Sequence, residues 1–103
     1  QQAIEFLAHH DPLTRLPNRL LLRDRLQHAL SRLRREKGAL AVLFVDLDRF
    51  KQINDSRGHA VGDLLLCQAA EAMLALLRIG DTVARIGGDE FVLLIEDDVS
   101  AES

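Results

Sequence analysis

The sequence holds a single cysteine, Cys67, so no disulfide can form within the chain. That fits a reducing compartment. Cys67 falls in an apolar helical pattern and reads as a buried, inert thiol. No apolar run approaches the roughly 20 residues a membrane-spanning helix needs. The N-terminal "QQAIEFLAHHD" lacks the basic head and apolar block of a signal peptide, and it lacks an initiator methionine. It reads as a linker helix over 1–10, continuing from an upstream module. A basic excess is missing too: 13 Lys and Arg stand against 16 Asp and Glu, a formal net charge of −3. That argues against a nucleic acid polymer held through its phosphate backbone. An acidic protein still binds a nucleotide if a metal carries the positive charge. Internal repeats and low-complexity segments are absent.

What is present suits one small domain. Of the 103 residues, 48% are apolar, enough for a core, and 28% are charged. "DPLTRLPNR", Asp11 to Arg19, reads as a turn with two prolines, in which Asp11 or Asn18 caps the segment after it. From Leu20 to about Arg35, Leu22, Leu26, Ala29, Leu30 and Leu33 recur at helical spacing, and Gly38 breaks the pattern. "ALAVLFVDLD", Ala39 to Asp48, is a continuous apolar run, expected to be a central strand buried on both faces. "RFKQIND" is a short helix or turn that stops at Gly58. From His59 to Arg78 the pattern is helical again, through Val61, Leu65, Ala69, Ala72 or Met73, and Leu76, and "RIGD" ends it. "TVARI" and "FVLLIE" then flank Gly87 to Glu90 as a hairpin. The order helix, strand, helix, helix, hairpin predicts an α/β (α+β) layer with helices covering a sheet.

The hairpin turn raises a chemical question. Gly87 and Gly88 supply the φ > 0 that a tight turn needs and leave a bare backbone that an anion can approach. Asp89 and Glu90 would repel a phosphate unless a cation sat between them, and hard oxygen ligands suit Mg²⁺ or Mn²⁺. A polar surface turn explains the same four residues taken alone. Asp46 and Asp48 add a second acidic site at the end of the first strand, where ligands gather in α/β sheets. Carboxylates there need a partner or a metal, although a helix N-cap pair is the competing reading. If the hairpin lies beside that strand, Asp46 and Asp89 can grip one cation, and a two-metal site for in-line phosphoryl chemistry becomes possible. Between the acidic sites, Lys51 can meet a phosphate as a point charge. Asn54 and Asp63 can read a guanine edge, and Gly58 and Gly62 let the chain come close. Each has a routine alternative: Lys51 as a solvated charge, Asn54 and Asp63 as caps, His59 as a capping or packing histidine.

Taken together these residues resemble GGDEF domains, the diguanylate cyclases. "GGDEF", Gly87 to Phe91, is that family's signature, and "DPLTRLPNR" is similar to its opening motif, with Arg15 where the family has glycine. "VDLDRFKQINDSRGHAVGD" resembles its metal and base segment, and "RIGD" its product-inhibition motif. The resemblance runs in order from Asp11 to Ile95. It implies a nucleotidyl-cyclase or palm-like sheet flanked by helices over 11–103. It also implies a C-terminal part outside these residues, holding a further helix, strands and basic groups for the β- and γ-phosphates, so that the isolated piece is poorly active. The implied activity is condensation of two GTP into cyclic di-GMP with release of two pyrophosphates, by a homodimer holding one GTP in each protomer. By position, Asp46, Asp89, Glu90 and the Leu47 carbonyl would hold two Mg²⁺ or Mn²⁺ ions per site. Asp89 would accept the proton, and Lys51 would steady the phosphates. Asn54 and Asp63 would hold guanine, His59 would lie in the nucleotide segment, and Gly87 and Gly88 would pass close to the phosphates. Arg78 and Asp81 would form an allosteric inhibitory site for cyclic di-GMP. Because GTP is cytoplasmic, so is the expected location, whether or not the parent is tethered to a membrane. An upstream sensory domain, and in some parents a downstream phosphodiesterase domain, goes with this pattern. The alternatives are a silent regulatory module that binds GTP or cyclic di-GMP, and a module serving only dimerisation.

Overall fold

Asn18 starts the principal helix of the N-terminal half. Its side-chain Oδ1 accepts from the Leu21 amide at 3.1 Å, satisfying a donor that the first helical turn leaves orphaned. In the computed structural model, which describes residues 2–97, the elements in chain order are α1 (Gln2–His9), α2 (Arg19–Arg35), β1 (Ala39–Asp46), α3 (Phe50–Arg57), α4 (His59–Leu76), β2 (Thr82–Arg85) and β3 (Glu90–Asp97). Arg32, Arg34 and Arg35 occupy the last turn of α2, the end that favours positive charge. Asp11 also caps, but within the turn before α2: its carboxylate accepts from the Thr14 amide and hydroxyl, each at 2.8 Å.

The three strands form one antiparallel sheet in the order β1-β3-β2. The register sets Asp46 opposite Glu90, and Val45 and Arg85 on either side of Phe91. Alternation along the strands then separates two faces. Val83, Phe91 and Leu93 pack with Leu66, Ala70 and Met73 of α4 and with Leu16. Ala84, Val92 and Leu94 are buried on the other face, as is Ala29 of α2. Arg25 Nη1 reaches across to Thr82 Oγ1 at 3.2 Å.

The hairpin and the long helices match expectation, but the place of β1 does not. Among the described residues it lies at the edge of the sheet, and Val42, Leu43 and Phe44 are exposed, Phe44 by 78%. The central strand is β3, whose Phe91–Leu94 run is buried without a break. α4 corrects a second expectation: by length and composition its 18 residues are apolar enough to cross a membrane. Gly62, Leu66, Ala70 and Met73 are nevertheless buried in a row, the i, i+4 stripe of a helix laid on a sheet. Cys67 is half-buried beside that stripe, and its thiol donates to the Leu13 carbonyl at 3.6 Å.

Gly58 joins α3 to α4 with φ 92° and ψ 163°. That region is open essentially to glycine alone. A methyl group there would meet nothing within 4 Å, so backbone strain is the only obstacle. Gly58→Ala is expected to cost about 1–3 kcal/mol, read as a lower urea midpoint. An unchanged midpoint would refute this account of the joint.

Candidate nucleotide and cation site

The register of β1 and β3 brings the two acidic segments together. Asp46 ends β1, and Asp89 immediately precedes β3. The Leu47 amide donates to the Asp89 carbonyl at 3.2 Å, and the Ile86 amide to the Glu90 carbonyl at 3.0 Å. These bonds fix the hairpin turn against the end of β1. The Asp46 carboxyl is thereby pushed above the usual carboxylate range. Its hydrogen bond to Asp89 and the charge of Asp89 are the chief causes, followed by burial and the charges of Glu90 and Asp48. Two carboxylates at this spacing need a shared proton or a cation between them. Among the described residues no group of three His, Cys, Asp or Glu side chains is arranged to hold a metal. The pair therefore fits an ion that takes one or two carboxylates and completes its shell with water and phosphate oxygens, as Mg²⁺ does. The Leu47 carbonyl accepts a long bond, 3.4 Å, from the Phe50 amide and keeps a lone pair for such an ion.

Glycine serves this turn for a different reason from the expected one. The described non-helical φ > 0 glycines are Gly58 and Gly80, not Gly87 or Gly88. A Cβ on Gly87 would collide with the Glu90 carboxylate, which folds over it, whereas one on Gly88 would meet nothing within 4 Å. Gly87 makes room for Glu90, and Gly88 presents open backbone. The left-handed residues nearby are Arg15, φ 64°, and Arg49, φ 62°. Arg15 thus keeps the turn conformation that glycine adopts most easily, with its guanidinium 4.3 Å over the Phe6 ring.

Arg49 precedes α3 without a side-chain cap. The Lys51 and Gln52 amides, in its first turn, have no partner among the described residues. A helix start left open in this way suits an anion, and the exposed Lys51 side chain stands on the same turn. Asn54, further along α3, is half-buried, and its Oδ1 has no partner among the described residues. The absence of a side chain at Gly62 gives that oxygen its space. Asp63 is the next residue along α4, and His59 opens that helix, both exposed. The structure therefore gathers Asp46, Leu47, Asp89, Glu90, Gly87 and Gly88 at the strand ends. Asn54 and Gly62 meet where α3 packs on α4.

Arg78 and Asp81 lie elsewhere, at the turn between α4 and β2. Arg78 Nε is 3.8 Å from Asp81 Oδ2. The Asp81 side chain is only 4% exposed, and it accepts from the backbone amides of Arg78 and Glu96, each at 3.1 Å. Arg78 Nη2 donates to the Glu96 carbonyl at 3.2 Å. Both side chains therefore tie the turn to β3.

One pair escaped the sequence reading. Arg85 Nη1 donates to both Asp11 oxygens at 3.0 and 3.1 Å. Seventy-four positions separate them, and no periodicity connects residues so far apart. The one available signal was that Asp11 opens one recognisable motif and Arg85 stands two positions before another. Burial raises the Asp11 carboxyl, but the Thr14 hydrogen bonds and Arg85 outweigh it and leave it below its ordinary value of 3.8. A depressed folded-state value stabilises the fold above the unfolded value, and this contribution is lost as pH falls through the folded one. Unfolding free energy measured against pH should therefore fall more steeply below 3.8 in the wild type than in Asp11→Asn. Superimposable acid limbs would refute this.

Acidic strand ends beside an open helix start mark the candidate site of this α+β domain. Comparison with known proteins makes this specific. The family described as diguanylate cyclase, GGDEF domain, matches residues 8–103, and the chain belongs to that family. It is 59% identical over 90 residues to the bifunctional diguanylate cyclase/cyclic di-GMP phosphodiesterase MucR of Pseudomonas aeruginosa, covering 87% of this chain and 13% of that protein. It is 52% identical over 88 residues to the diguanylate cyclase TpbB of the same species, covering 85% of this chain and 20% of that one. The solved TpbB structure comprising only the GGDEF domain superposes with a TM-score of 0.84 at 49% identity, over 91% of this chain and 55% of that one. The coiled coil and GGDEF domain of DgcB from Caulobacter crescentus, solved in complex with c-di-GMP, gives 0.87 at 26% identity, over 98% and 53%. The chain thus spans a small part of its curated relatives and about half of these solved structures.

Proposed function

We propose that this chain supplies the cation and guanine side of a domain that condenses two GTP molecules into cyclic di-GMP. The observation that carries the reading is the Asp46–Asp89 pair at the ends of neighbouring strands, beside the open backbone of Gly88. In each of two equivalent steps, the 3′-oxygen of one GTP bonds to the α-phosphorus of the other. The bond from that phosphorus to the bridging oxygen breaks, pyrophosphate leaves, and Asp89 accepts the hydroxyl proton. A bound divalent cation supplies charge stabilisation on the phosphates. The chain's own groups orient the reactants. Asp46 and Asp89, with the Leu47 carbonyl, would hold the ions, Glu90 would add its charge at the same strand ends, and Lys51 and the start of α3 meet phosphate. The orphaned Asn54 oxygen accepts from a guanine N–H, with Asp63 taking the base's remaining donors and His59 lining the segment. Two protomers facing one another satisfy the symmetry of the product. Arg78 and Asp81 offer a site for product feedback, with Asp81's backbone bonds holding the turn in shape. A silent module that binds GTP or cyclic di-GMP is the second reading.

The test is to incubate the full-length protein with GTP and Mg²⁺ and separate the products chromatographically. Cyclic di-GMP and two equivalents of pyrophosphate are expected. GTP bound but unconverted would move the assignment to the silent module. Gly88→Ala sharpens the test. The free protein has room for the methyl group, so its melting temperature should hold, yet the methyl stands where phosphate approaches. Turnover should fall by about tenfold or more, the effect of a small misplacement at a reacting centre. Undiminished turnover in Gly88→Ala would place phosphate elsewhere.

A further inference from the structure

Arg85 has no part in the steps above, yet it connects two motifs far apart in sequence. Its guanidinium divides between two sets of acceptors. On one side Nη1 donates to both oxygens of Asp11. On the other, Nε donates to the Gly88 carbonyl at 3.0 Å and the Gly87 carbonyl at 3.2 Å, and Nη2 to the Gly88 carbonyl at 2.8 Å. Arg85 and Asp11 side chains are only 17% and 16% exposed, so little water competes. The Arg85 amide also donates to the Pro17 carbonyl at 3.0 Å, which ties the strand to the same motif.

Peptide planarity turns this into a statement about donors. In a trans peptide the carbonyl of one residue and the amide N–H of the next point in opposite directions. Holding the Gly87 and Gly88 carbonyls on Arg85 aims the Gly88 and Asp89 N–H groups away from it. Neither amide has a partner among the described residues. Two successive free N–H groups of this kind form a cradle for an anion. Asp89 follows directly, its own carbonyl held by the Leu47 amide. The peptides on both sides of its Cα are therefore fixed, and so is the direction in which its side chain leaves the backbone.

We infer that Arg85 is a positioning residue for phosphoryl transfer: Asp11 holds the guanidinium, and the guanidinium sets the Gly87–Asp89 backbone so that two amide N–H groups and the Asp89 carboxylate face the phosphate together. The inference rests on the GTP-condensing reading. It also gives the "DPLTRLPNR" turn a task at the reaction centre, although Asp11 touches no substrate. Lysine cannot replace Arg85, because a single ammonium cannot bridge a carboxylate and two carbonyls as a planar fork does.

The experiment compares wild type, Arg85→Lys and Asp11→Asn in the full-length protein, measuring kcat, KM for GTP and melting temperature. In Arg85→Lys, kcat and kcat/KM should fall together by about 100-fold, with most molecules still folded at the assay temperature. Asp11→Asn keeps the shape but loses the charge that anchors the fork, and should move the same way by about tenfold. A merely structural role would lower the melting temperature and leave kcat per folded molecule at the wild-type value. That result in Arg85→Lys, or in Asp11→Asn if the first variant does not fold, overturns the inference. A wild-type protein that makes no cyclic di-GMP overturns the functional reading itself, and the inference with it. Active wild type with equally active variants overturns only the positioning role.

Discussion

Asparagine at position 89 should reduce cyclic di-GMP formation by about a hundred- to a thousand-fold, the scale on which removing one charge-stabilising group acts, while leaving the protein at least as stable as wild type. The opposite directions arise from one contact. Asp46 and Asp89 face each other closely enough to raise the Asp46 carboxyl, so the two charges oppose one another across the strand ends. Asparagine keeps a hydrogen bond to Asp46 and removes the repulsion. The fold should lose nothing, whereas a cation held as proposed would lose one of the two carboxylates that face it. The same argument predicts how each protein answers added Mg²⁺ or Mn²⁺. A ligand bound only by the folded state stabilises it by RT ln(1 + [L]/Kd), about 2.7 kcal/mol at a hundred times Kd. The wild-type melting temperature should therefore rise with Mn²⁺, and that of Asp89→Asn should rise less or not at all. Product chromatography and thermal melts with and without Mn²⁺ are sufficient. Activity lost in proportion to a lower melting temperature would mean that Asp89 is a structural residue. Full activity would remove it from the site.

The sequence made the hairpin legible because a two-residue period on each side of a glycine-acid turn has few other outcomes. The helices were legible from their 3.6-residue stripes, down to Asn18 as the cap of α2. The site was legible as two acidic clusters, because carboxylates at strand ends must be compensated. Their union depended on strand order, which no local pattern encodes. β1 shows the limit. "ALAVLFVD" is if anything more apolar than "FVLLIED", and hydrophobicity says that a strand has neighbours without saying which. Among the described residues β3 has partners on both edges, and Phe44 of β1 stands in the open. Gly87 and Gly88 teach a related lesson. Glycine suits the turn there through the space it leaves for the Glu90 side chain and for an open approach rather than through φ. Composition cannot distinguish these reasons. The Asp11–Arg85 bridge was invisible for a third reason: ion pairs across a fold leave no trace in spacing.

Phe91 carries the second large effect, and it concerns the aromatic letter of the signature. It is fully buried, one of the largest side chains in the core, between Val45 and Arg85 on the neighbouring strands and against the α4 cluster. Removing such a ring costs about 3–5 kcal/mol, the transfer of its surface plus the cavity left behind. Domains are held by only about 5–15 kcal/mol, so Phe91→Ala should lower the urea midpoint sharply and leave a substantial unfolded fraction. Leucine fills most of the space and should cost less than about 1.5 kcal/mol. The two substitutions separate anchoring from folding. Glu90 and Asp89 precede Phe91 directly, and the ring pins the strand start that sets their direction. If anchoring matters, Phe91→Leu should lose turnover beyond its unfolded fraction, because a smaller side chain lets the start of β3 shift against Asp46. If turnover in Phe91→Leu tracks the folded fraction alone, the aromatic ring serves only stability. In that case the Leu47–Asp89 and Ile86–Glu90 hydrogen bonds hold the acidic pair without it.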